Sequence, residues 1–148
     1  MSQDVNILSP CGMLGYGFPE ESFRRGMEQQ VHAVVVDAGS TDGGPHKLGA
    51  GVSIVSRRAC KKDLEIILGA CLPGKVPVII GSAGGSGARP HVEWTLDIIE
   101  EILREKQMSA KIAVIWADFT QEAVLDALGQ GKIVPMSPNI PQLTEQTI

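Results

Sequence analysis

Val76-Pro77-Val78-Ile79-Ile80-Gly81-Ser82-Ala83-Gly84-Gly85-Ser86-Gly87-Ala88-Arg89-Pro90 is the stretch on which the fold turns. Its opening residues form a short apolar run without alternation, the pattern of a strand covered on both faces. The glycines and serines that follow neither extend a strand nor build a helix, so they form a loop. Pro90 suits the first turn of a helix. Val92, Leu96, Ile99 and Leu103 then recur at helical spacing, while Glu100, Glu101, Arg104 and Glu105 face water. Strand, glycine loop and helix in that order make one βα unit.

The same unit recurs on either side. Val5 to Leu8 reads as a first strand closed by Ser9-Pro10, followed by a glycine loop over 11–17 and a helix opened by Pro19, Glu20 and Glu21. Val31 to Val36 reads as the next strand and runs into the Asp37 to Pro45 loop. Ser56 is a helix N-cap; Cys60, Leu64, Ile67, Leu68 and Cys71 follow at helical spacing, and Pro73-Gly74 stops the helix. Ile112 to Trp116 reads as a fourth strand and Ile133 to Met136 as a short fifth. Between them Thr120 caps a helix carrying Val124, Leu125 and Leu128. Lys47 to Val55 reads as loop or a short strand. Strands alternating with helices imply a parallel sheet with right-handed crossovers. The expected fold is α/β: a Rossmann-like three-layer α/β/α domain over residues 1–136, with a mostly parallel sheet of four to five strands. A polar tail over 137–148 follows.

A chain of 148 residues suits one domain with a real core. Aromatics make up only 4% of it, so Val, Ile, Leu and Ala must build that core. The net charge of −4 and the absence of a Lys/Arg stripe argue against a nucleic-acid partner. Cys11, Cys60 and Cys71 form no C-x-x-C and are odd in number, which argues against a disulfide framework; with no signal peptide and no bilayer-spanning run, the cytoplasm is the expected location. His32, His46 and His91 are scattered, so no metal site is expected. No apolar run is long enough to span a bilayer, and no signal peptide is read at the start.

In open parallel sheets ligands bind beyond the carboxyl ends of the strands. Here those ends carry Ser9, Cys11 and Gly12; Asp37, Gly39, Ser40, Thr41 and Asp42; Ser82, Gly84, Gly85, Ser86 and Gly87; and Asp118. The opposite-edge connections are plainer. Glycine lets a backbone approach a ligand closely, and converging N–H groups bind an oxyanion. The loop lacks both G-x-G-x-x-G and Gly-Lys-Ser/Thr, so it is neither a dinucleotide fingerprint nor a P-loop. Asp37, Asp42 and His91 are the candidate acid–base groups. Asp37 is equally a holder of a substrate hydroxyl or of Mg²⁺, or simply a turn residue. Cys11 becomes a nucleophile only with a lowered pKa.

Three stretches resemble the N-terminal region of the acyclic terpene utilisation family. They are Leu8-Ser9-Pro10-Cys11-Gly12-Met13-Leu14-Gly15-Tyr16-Gly17-Phe18-Pro19-Glu20-Glu21-Ser22, then Val36-Asp37-Ala38-Gly39-Ser40-Thr41-Asp42, and Ile80-Gly81-Ser82-Ala83-Gly84-Gly85-Ser86-Gly87. The resemblance implies a role in catabolism of branched or terpenoid acids, with a carboxylate or CoA thioester as substrate and a hydratase, lyase or isomerase step. Members are longer than this chain. The resemblance therefore implies an N-terminal piece, or a subunit completed by a partner or a second copy. The alternative is a non-catalytic domain that senses a phosphorylated or nucleotide ligand.

Overall fold

A computed structural model of the chain describes residues 4–40 and 43–148. They form two compact units, Met1–Trp116 and Ala117–Ile148. The first unit is α/β. Its strands are β1 (Ile7–Leu8), β2 (Ala33–Asp37) and β3 (Val78–Gly81). All are parallel, in the order β1-β2-β3, with Ile7 opposite Ala33 and Val35 opposite Ile79. The helices are α1 (Glu20–Met27), α2 (Gly44–Ala50), α3 (Arg57–Cys71) and α4 (Arg89–Glu105). A helix α5 (Gln121–Gly129) belongs to the second unit.

The sheet alternates in burial. Val34 and Val36 are buried, with Leu8, Val78 and Ile80 packed against the same cluster. That cluster takes in Phe23 of α1, Leu64, Ile67, Leu68 and Cys71 of α3, and Ile98, Ile99 and Ile102 of α4. The core thus joins one face of the sheet to the apolar stripes of three helices. On the other face Ile7 is 63% exposed and Ile79 54%, while Ala33 and Val35 are half-buried.

The helix signals in the sequence are realised where a cap or a stripe marks them. Ser56 Oγ accepts from Ala59 N at 3.2 Å, and Thr120 Oγ1 accepts from Ala123 N at 3.2 Å. Each satisfies one N–H that a helix start leaves without a partner. Of Lys47 to Val55, read as loop or a short strand, Lys47 to Ala50 form the end of α2 and the rest is loop.

Among the described residues the sheet has three strands rather than four or five. Ile112 to Trp116 and Ile133 to Met136 are irregular. Apolar, β-branched composition marks a segment that can pair, but a strand exists only when a neighbour accepts its ladder. Ile115 stands 92% exposed, outside any such layer.

A charged lattice ties α3 to α4. Lys61 Nζ lies 2.6 Å from both Glu101 Oε1 and Glu105 Oε2, and Arg57 pairs with Glu101. The Lys61 ammonium and then the Arg57 guanidinium hold the Glu101 carboxyl down to about 2. A carboxyl depressed by folding stabilises the fold above its unfolded pKa, and this contribution disappears as pH falls through its folded value. Glu101→Gln should therefore flatten the acid limb of stability between about pH 4.3, the ordinary glutamate value, and pH 2. Urea midpoints across that range read the effect.

Candidate functional site

The parallel pairing puts the carboxyl ends of β1, β2 and β3 on one rim, and backbone hydrogen bonds lock their loops together. Leu14 N, in the loop after β1, donates to Asp37 O at 2.8 Å. Ala38 N donates to Gly81 O at 2.8 Å, joining the ends of β2 and β3. Gly39 then passes so close to Ser82 that a Cβ on it would lie 2.7 Å from Ser82 Cβ. Only a glycine lets these two loops meet.

Ser82 follows β3 directly and holds φ 48° and ψ 41°, a left-handed conformation that costs a non-glycine residue about 1–2 kcal/mol. Strain of this kind clusters at ligand sites. A short 3₁₀ turn, Ala83–Gly85, leads on toward α4. Its own bonds occupy several loop amides: Gly85 N on Ser82 O, Ser86 N and Gly87 N on Ala83 O. The amides left for a ligand lie at the Ser82–Gly84 end.

The start of α4 adds less than the sequence suggests. Ala88 provides no side-chain cap and Pro90 no N–H, while His91 N and Val92 N return to Ala88 O. No acidic residue occupies that first turn, so the positive end of the helix is not neutralised there.

Asp37 is exposed at the end of β2. Its Oδ1 accepts from Gly39 N at 2.8 Å, an Asx-type turn that fixes the carboxylate. Ser82, also exposed, supplies a hydroxyl next to it. This corner can accept a hydrogen bond from a ligand hydroxyl and donate one in return. A negative group fits better toward Gly84 and α4, away from the Asp37 charge.

The remaining candidates divide. Ser9 and Gly12 are exposed in the loop after β1, with Ser9 Oγ on Cys11 O at 3.4 Å. Cys11 is half-buried, and burial, with the Asp63 charge behind it, pushes its thiol up, against thiolate formation. Gly84 and Gly85 are buried; Ser40, Ser86 and Gly87 are partly so. Thr41 and Asp42 lie outside the described residues. Asp118 belongs to the second unit and is exposed there.

His91 does not face the rim openly. It is 1% exposed, and its Nε2 lies 3.1 Å from Lys47 O. A carbonyl only accepts, so Nε2 carries the proton and donates. Nδ1 is buried with no protein partner.

Asp63 escaped the sequence reading. It is 2% exposed on α3, and its Oδ2 accepts from Gly15 N at 2.8 Å and Gly17 N at 3.0 Å. It pins the loop after β1 and so shapes one side of the rim. The available signal was a carboxylate set inside the Cys60, Leu64, Ile67 stripe.

Two concavities lie elsewhere. One, of about 270 Å³, runs between α1 and α3 beside Phe23, Met27 and Ile66. The other, of about 520 Å³, lies within the second unit beside Leu128, Ile133 and Leu143. Neither is lined by a rim residue. No cluster of three or more potential metal ligands occurs among the described residues, and no helix there is long and apolar enough to cross a membrane. A scan of the chain against protein-family models finds no match, and searches among curated proteins and solved structures find none either.

Proposed function

We propose that this chain is the N-terminal small-molecule-binding domain of an enzyme of branched or terpenoid acid catabolism. Its rim takes a carboxylate or acyl-CoA ligand. The observation that carries the reading is the convergence of three loops at one sheet end, with Gly39 against a strained, exposed Ser82. The Gly84 end receives the anionic group, and Asp37 with Ser82 receives a hydroxyl or the migrating proton. Asp37 is the general base of a hydration, elimination or isomerisation step, since it stands exposed at the end of β2. Asp42 and His91 are the further acid–base candidates of this reading.

The same reading completes the sheet to four or five strands in three layers, by addition of residues 112–116 and a second helical layer. The apolar side chains of Ile7 and Ile79, left open in the three-stranded sheet, support it. A cytoplasmic location agrees with the free thiols of Cys11, Cys60 and Cys71. A partner subunit or a second copy supplies the rest of the active site.

A second reading, a non-catalytic sensor of a phosphorylated or nucleotide ligand, draws on the burial of His91. With that imidazole covered, no acid–base pair among the described residues faces a common point.

Gly12 gives the cleanest test of occupancy, because it is exposed and a Cβ added there meets nothing within 4 Å. Gly12→Trp should weaken CoA and acyl-CoA binding at least tenfold by calorimetry while leaving the melting temperature unchanged. Equal affinity in the two proteins, or no binding by either, would overturn the rim as the ligand site. Turnover of acyl-CoA by the chain with its partner would separate enzyme from sensor.

A further inference from the structure

Helix α2 is unlike the other helices of the first unit. It has no buried residue, and Leu48, its largest apolar side chain, is 49% exposed. Gly43 precedes it with no side-chain cap, Gly44 opens it at φ 31°, and Gly51 ends it in the left-handed conformation at φ 65°. A short helix with glycine at both ends and little apolar surface to lose separates readily from its support.

What lies against it is chemically specific. Lys47 O of α2 accepts from His91 Nε2 at 3.1 Å, and the end of α2 at Gly51 rests on Pro90. His91 is fully covered, yet its Nδ1 has no partner. A buried nitrogen without a hydrogen bond is costly, and the cost disappears once water or a ligand reaches it. The closed arrangement therefore gains one hydrogen bond at Nε2 and sacrifices another at Nδ1. His91 also packs on the glycine loop, since a Cβ on Gly84 would strike its backbone. Uncovering the imidazole thus places it beside the rim.

We propose that α2 is a hinged lid, latched shut by the hydrogen bond from His91 to Lys47 O, whose opening exposes the imidazole next to the glycine loop. The lid goes beyond the ligand reading and stands without it, because the latch and the hinges are properties of the empty chain. Its opening adds an imidazole to the rim.

Two measurements on the full chain test it. In native-state hydrogen exchange, the amides of Leu48 to Val52 should exchange at least a hundredfold faster than those of Ile98 to Ile102 in α4, and independently of low denaturant. In diethyl pyrocarbonate labelling read by peptide mass spectrometry, His91 should react under native conditions, more slowly than the exposed His32 and His46. A Cβ on Gly51 would lie 3.7 Å from Pro90 Cβ, within disulfide range. Oxidised Gly51→Cys/Pro90→Cys should therefore label at His91 at least tenfold more slowly than the same protein reduced. The lid is overturned if α2 and α4 exchange together, or if His91 labels only with global unfolding. Equal His91 labelling in the oxidised and reduced double variant would overturn it as well.

Discussion

Gly84→Ala is expected to lower the stability of the fold by about 2–5 kcal/mol, which is a large part of what a domain of this size has. Gly84 sits at φ +70°, and an added Cβ would lie 2.3 Å from His91 O, 2.7 Å from His91 C and 2.7 Å from His91 Cβ. The left-handed conformation alone costs an alanine about 1–2 kcal/mol. The collision adds about 1–3 kcal/mol, because the atoms it meets are helix backbone and cannot swing aside. Urea unfolding followed by circular dichroism measures the loss, with Gly12→Ala as the control. That substitution, in open space, should change stability by less than about 0.5 kcal/mol. A Gly84→Ala variant within 1 kcal/mol of the parent would mean that the glycine turn does not pack on α4 as described.

Asp63→Ala should follow at about 2–4 kcal/mol, through a different cause. The Asp63 carboxylate is the partner of two backbone N–H groups, those of Gly15 and Gly17. Alanine leaves both donors without their partner in a part-buried loop, and hydrogen bonds to charged groups are the stronger class. Asp63→Asn keeps an oxygen in place and should lose only about 1 kcal/mol. The variants also separate the loop from the core. Amide exchange over residues 13–17 should accelerate more than that of Ile67 or Ile102. The thiols report the same charge. Burial raises both Cys11 and Cys60, the latter to about 12, and in each the Asp63 carboxylate raises it further. In Asp63→Asn both thiols should therefore titrate at lower pH, and Cys11 should react faster with a thiol reagent at fixed pH. Unchanged reactivity of Cys11 would contradict the placement of Asp63 beside it.

The sequence carried the parts of the fold that rest on local rules. Pro19, Ser56 and Thr120 marked helix starts because each serves as the cap residue immediately before the first helical turn. Val31 to Val36 and Val76 to Ile80 marked strands to within two or three residues, since a continuous apolar run has few other uses in an α/β chain. Helix α2 was hidden because it buries nothing, so Gly44-Pro45-His46-Lys47-Leu48-Gly49-Ala50 shows no stripe. Residues 112–116 have the composition of a strand, but pairing depends on a neighbour that composition does not reveal. The rim was legible as a row of loop residues following the strands. What each side chain does there was not. The burial of His91 beneath α2 and the grip of Asp63 on Gly15 and Gly17 both join residues more than forty positions apart, and no local pattern encodes such a contact.

The claim on which the rest depends is that the loops after β1, β2 and β3 act as one binding surface. Amide chemical shifts of the nitrogen-15-labelled chain, titrated with coenzyme A and separately with inorganic phosphate, test it most directly. Shifts should gather at Gly12, Gly39 and Ser82 to Gly87, with Gly74, Lys75 and Gln107 at the opposite edge unmoved. Shifts centred on that opposite edge, or none at millimolar ligand, would contradict it.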